Sequence, residues 1–115
     1  AAVWDLGDEW CRHTELPFVF ATWVARAGSD LAGADIALAA ARDAGVAHLK
    51  QIAETEAAAL GLTVPECLQY LRDNLYFYLG PREQQGLELF YRRAAALQLI
   101  PEGVEVGYYS NCEPA

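Results

Sequence analysis

The spacing of apolar residues changes several times along the chain, and each change marks an element. Residues 1–4 (Ala-Ala-Val-Trp) read as the end of a strand. Asp5 offers an N-cap, and Asp8 and Glu9 put negative charge in a first turn. A short helix over residues 6–14 follows, with Leu6, Trp10 and His13 or Thr14 along one side. Pro17 then opens a strand over residues 17–25, since proline is tolerated at a strand's first residue. Phe18, Phe20 and Val24 alternate with Val19, Ala21 and Trp23, so both faces are apolar. A strand of that kind is ordinarily covered on both faces, as in a parallel sheet flanked by helices.

Gly28-Ser29-Asp30 breaks this strand, and Ser29 suits an N-cap. A helix over residues 30–44 is expected next, with Gly45 at its C-terminal end. A second runs over residues 46–60, with Leu49, Ile52, Ala53 and Leu60 as its apolar stripe and Gly61 as its stop. Thr63-Val64-Pro65-Glu66 is a capping box that starts a third, with Leu68, Leu71 and Leu75 in line. Tyr76–Leu79 is either a strand or an extended linker. Pro81 then sits in the first turn of a helix whose stripe is Leu87, Phe90, Tyr91, Ala94 and Leu97. Pro101 and Gly103 end it, Val104–Tyr109 fits a last short strand, and residues 110–115 read as a tail.

This inventory is lopsided. One strand wants a neighbour on each side, and apolar stripes on at least four helices want a sheet to cover. The expected fold class is therefore α/β, helix-rich with one central strand, as the C-terminal portion of a larger protein that supplies the rest of the sheet. The absence of Met, even at position 1, fits a processed chain or part of a longer one. A piece lacking sheet partners is not expected to fold cooperatively by itself. The rival is a small α+β domain that pairs residues 17–25, 76–79 and 104–109.

Composition narrows the function classes. At 115 residues the chain holds one small domain at most, and 54% apolar with 21% charged residues is globular rather than disordered. The formal charge of −8 makes nucleic acid and anionic lipid surfaces poor partners. No uncharged apolar run reaches the roughly 18 residues of a membrane span. Cys11, Cys67 and Cys112 are odd in number and too widely spaced for a metal motif or a disulfide scaffold. They read as two partly buried thiols and one exposed tail thiol in a reducing compartment. His13 and His48 stand apart from other ligand types and read as helix-surface residues. No phosphate loop or nucleophile elbow occurs. Tyr70, Tyr76, Phe77, Tyr78 and Tyr91 either pack a helix on a sheet or line a pocket.

One stretch is more specific. Asp5-Leu6-Gly7-Asp8-Glu9-Trp10, followed by Thr14-Glu15-Leu16-Pro17-Phe18-Val19-Phe20-Ala21-Thr22-Trp23, resembles the central signature of the chorismate dehydratase family of the futalosine route to menaquinone. Ala41-Arg42-Asp43-Ala44-Gly45, Tyr78-Leu79-Gly80-Pro81-Arg82-Glu83, Gly86-Leu87 and Phe90-Tyr91 look like the same family. The resemblance runs from residue 4 to about residue 100. It departs from the family at Glu15, where the family pattern has Gly.

The resemblance implies the type 2 periplasmic-binding-protein fold, two α/β lobes joined by two crossings with a ligand cleft between them. Residues 1–16 would end the second lobe, residues 17–25 would be the crossing strand, and residues 26–115 would return to the first lobe. The implied reaction is dehydration of chorismate to 3-[(1-carboxyvinyl)oxy]benzoate in the cytoplasm, with no cofactor, no metal, and a small anionic substrate as partner. Two other readings share the fold: a non-catalytic solute-binding protein and the sister dihydroxynaphthoate synthase. No catalytic residue is assigned, because the family's catalytic groups are expected largely in the N-terminal half. Thr14, Leu16, Pro17 and Phe18 stand where the crossing would border the cleft, as hinge and core or as walls against the substrate ring. The helix beginning near Leu6 is a candidate source of local positive potential for an anion.

Overall fold

The computed structural model describes residues 1–109 and contains five α-helices and one π-helical turn. In chain order these are α1 (Leu6–Thr14), α2 (Ala34–Ala47), α3 (Leu49–Glu56), α4 (Val64–Gln69), the π turn Tyr70–Asn74, and α5 (Pro81–Ala96). The chain divides into two compact units, residues 30–77 and the combination of residues 1–29 with the segment from Tyr78 onward.

Within the first and last segments, α1 forms where the N-cap pattern puts it. The Asp5 carboxylate accepts from the amides of Gly7 at 2.9 Å and Asp8 at 3.1 Å. Asp8 and Glu9 face the positive end of the helix dipole, and Arg12 and His13 the negative end. The helix ends at Glu15, whose backbone is left-handed at φ 57°. α5 starts with Pro81 in its first turn, and its Gly80 N-cap has no side-chain cap.

Residues 17–26, expected as a strand over 17–25, have no ladder partner, and no strand occurs among the described residues. An extended segment is a strand only beside another, and none is at hand. Its apolar side chains are correspondingly open: Phe20 is 76%, Trp23 82% and Val24 86% exposed. Residues 1–4, 76–79 and 104–109 also pair with nothing as strands, so the small α+β arrangement is not formed.

The middle unit packs through small residues. Ala53 of α3, Ala57 just after it and Cys67 of α4 are buried at 0%, 2% and 4% exposure, and Val64, Leu68 and Leu71 pack against them. Of the expected stripe, Ala53 is covered and Leu49 half-buried, while Ile52 is exposed, as is Leu60 beyond the end of α3. The helix expected over residues 46–60 with its stop at Gly61 instead starts at Leu49 and ends at Glu56; turns continue to Gly61 (φ 69°), where the Leu62 amide donates back to the Ala57 carbonyl at 2.9 Å. The capping box at α4 is complete, Thr63 and Glu66 each receiving the other's amide.

α2 departs from its expected bounds at both ends. The Asp30 carboxylate takes the Ala32 amide at 2.9 Å, forming a turn that delays the helix to Ala34, so Ser29 is not the cap. At the other end Gly45 is accommodated inside the helix. His48 breaks the path instead, its Nδ1 2.7 Å from the Ala44 carbonyl.

The thiol assignment needs one correction. Cys67 is buried, but Cys11 is exposed because it lies on the open side of α1. Cys112 lies outside the described residues. His13 and His48 are both exposed on helix ends. No helix of the described residues is long and apolar enough to cross a membrane.

Candidate functional site around the Thr14–Phe18 reversal

Thr14, Leu16, Pro17 and Phe18 lie on one reversal of the chain, where it leaves α1. All four are half-buried. The Thr14 hydroxyl donates to the Trp10 carbonyl at 2.8 Å and accepts from the Leu16 amide at 3.2 Å. It is spent on the backbone, tying the last turn of α1 to the residue that leaves it. The Glu15 amide donates to the Cys11 carbonyl at 2.8 Å, which closes the helix through the left-handed residue. A non-glycine residue there costs about 1 kcal/mol.

Phe18 anchors the reversal. Its ring lies edge-on to Trp10 at 5.6 Å, to Phe90 of α5 at 5.4 Å and to Phe20 at 4.8 Å between centroids. Trp10 and Phe90 also meet edge-on at 5.9 Å. Edge-to-face pairs of this kind contribute about 0.5–1.5 kcal/mol each beyond burial. The Arg93 guanidinium stands 5.3 Å from the Trp10 ring, a cation–π geometry. The Trp10 Nε1 is buried with no acceptor among the described residues. Phe20 lies so close to Gly7 that a Cβ at that position would stand 2.7 Å from the Phe20 ring.

Three contacts from α5 were not legible in the sequence. Arg82 donates from its guanidinium to the Glu15 carbonyl. Gly86 lets the Pro17 carbonyl approach so closely that a Cβ there would stand 2.2 Å from its oxygen. Phe90 completes the ring cluster. A glycine inside an otherwise regular helical stripe was the available signal, since such a residue usually has a packing reason.

Two shallow grooves lie nearby, and neither includes the four residues. One of about 460 Å³ is bordered by Glu88, Tyr91, Arg92 and Ile100–Pro101, and the other of about 330 Å³ by Trp4, Asp5, Asp8 and Arg12. The second groove adjoins the N-terminus of α1, but Asp5 already occupies the two leading amides. That makes this helix end a weak anion site by itself. Among the described residues no group of three or more His, Cys, Asp or Glu side chains is arranged to hold a metal ion. Displaced acidities occur in the middle unit. The Thr63 hydroxyl, then its amide, holds the Glu66 carboxyl below the usual carboxylate range. Paired contact with Arg72 lowers Asp73, and the same contact raises Arg72.

Residues 1–96 match the family model described as menaquinone biosynthesis. The chain belongs to this menaquinone biosynthesis family. It is 38% identical over 87 residues to the chorismate dehydratase of Thermus thermophilus, a match covering 75% of this chain and 32% of that protein. The chain therefore spans about a third of the length of that curated relative. No solved structure matches it. The departure from glycine that the resemblance gave at Glu15 falls on a residue with a left-handed backbone at φ 57°. The reversal requires a left-handed residue there, the conformation glycine adopts without strain.

Proposed function

We propose that this chain is part of a lyase that dehydrates chorismate to 3-[(1-carboxyvinyl)oxy]benzoate in menaquinone biosynthesis, acting in the cytoplasm. The observation that carries the reading is the 38% identity over 87 residues to the chorismate dehydratase of Thermus thermophilus. In the reaction a ring C–O bond breaks, hydroxide leaves, and a neighbouring ring C–H gives up its proton. One water forms and the ring becomes aromatic. The step is redox-neutral, so it calls for no electron carrier.

The fold proposed for the whole protein is the two-lobed type 2 periplasmic-binding-protein architecture. Residues 1–16 end one lobe, residues 17–25 cross between lobes, and the rest returns to the other. The exposed Phe20, Trp23 and Val24 support this, because a crossing strand needs a sheet on each side. Thr14, Leu16, Pro17 and Phe18 then border the cleft, with Phe18 as the wall against the substrate ring. Aromatization favours the products, so the protein's task is to hold a dianion, assist a poor leaving group and accept a proton. Net charge does not decide the binding of that dianion, since exposed charges are screened over about 8 Å at physiological ionic strength.

The test is the full-length protein with chorismate, followed by mass spectrometry. Disappearance of chorismate and appearance of a product lighter by one water supports the reading. Tight binding without turnover would replace it with a solute-binding role.

A further inference from the structure

Arg82 and Gly86 are one turn apart on α5 and so share a face. Both act on the same short reversal and both on its backbone. Arg82 donates to the Glu15 carbonyl, and Gly86 seats the Pro17 carbonyl. From the other side α1 holds the same residues: the Glu15 amide donates to Cys11 and the Leu16 amide to the Thr14 hydroxyl. The reversal includes a left-handed Glu15 at φ 57°, a conformation that a free chain would leave. Contacts from two helices therefore maintain a backbone path that the residue at its centre disfavours.

We propose that Arg82 and Gly86 form a positioning clamp that sets the direction in which residues 17–25 leave α1. The inference rests on the proposed chorismate reading, in which that direction fixes how the two lobes close over substrate. Arg82 does not touch substrate in this account; it acts through the Glu15 carbonyl. If the clamp is lost, the closed arrangement is a smaller fraction of the population, and apparent affinity falls by that fraction. Once closed, the chemistry is unchanged.

The experiment compares full-length wild type, Arg82→Ala and Arg82→Lys by steady-state kinetics on chorismate and by amide hydrogen exchange. Arg82→Ala is expected to raise KM about tenfold with kcat within about twofold. Arg82→Lys keeps one N–H donor able to reach a carbonyl and is expected to recover most of that loss. The Glu15 and Leu16 amides are expected to exchange about tenfold faster in Arg82→Ala, with the Ala57 amide of the middle unit unchanged. Unchanged KM with unchanged exchange at Glu15 and Leu16 would overturn the clamp. So would acceleration of all amides together, which marks a merely structural loss. A wild type that turns over no chorismate defeats the functional reading instead. The clamp then stands or falls on the local exchange at Glu15 and Leu16.

Discussion

The middle unit and the α1–α5 region are packed by opposite means. In the middle unit, side chains of one or two heavy atoms let α3 and α4 approach closely, and Ala53, Ala57 and Cys67 are buried. Its hydrogen bonds tie residues a few positions apart, as in the Thr63–Glu66 box. In the α1–α5 region, large rings meet edge-on and stay part-exposed, and the decisive contacts join residues 67 or more positions apart. The first arrangement is a local scaffold. The second is a backbone reversal held by a helix distant in sequence.

The sharpest way to break this comparison is Gly86→Ala in the full-length protein. The added Cβ meets the Pro17 carbonyl oxygen at 2.2 Å, and backbone cannot step aside as a side chain can. A loss of about 3 kcal/mol is expected from the denaturation midpoint, at the upper end for overpacking. An unchanged midpoint would mean the reversal is not held at that point. Ala53→Leu tests the middle unit in the same terms. Three further carbons in a fully covered position should cost about 2 kcal/mol, and stability at wild-type level would mean α3 and α4 are loosely packed.

A smaller effect is expected at the cap of α4. Thr63→Ala removes the hydroxyl that accepts from the Glu66 amide and should cost about 1 kcal/mol, read from the same midpoint. The smallest is pH-dependent. Glu66 is held below the ordinary carboxylate range chiefly by the Thr63 hydroxyl, so its ionised form favours the folded cap. Its contribution is complete above that range and is lost as pH falls through it toward the lower folded value. An NMR titration of Glu66 should show this, and a midpoint at or above that of an exposed glutamate would contradict it.

What was legible in the sequence follows the same division. The N-cap at Asp5, the box at Thr63–Glu66 and the start at Pro81 all depend on neighbours within about one turn, so local pattern sufficed. The start of α2 is not legible, because the Asp30 carboxylate takes the Ala32 amide into a turn and delays the helix to Ala34. The two-faced apolar run at Phe18–Val24 was plain, but a strand also needs a partner, and among the described residues it has none. Thr14, Leu16, Pro17 and Phe18 were found together because they are nearly consecutive. Arg82, Gly86 and Phe90 were not joined to them, because nothing local to α5 points to residues 15–18.

In the proposed enzyme the reversal at residues 14–18 borders the site, with Phe18 as its wall. The most direct measurement is kcat and KM on chorismate for full-length Phe18→Ala beside wild type, with thermal stability recorded on the same samples. The account predicts a KM at least about tenfold higher, corresponding to about 1.4 kcal/mol of lost ring contact, in a protein that still folds. Unchanged KM and kcat with only a lower melting temperature would make Phe18 a core residue and contradict the claim.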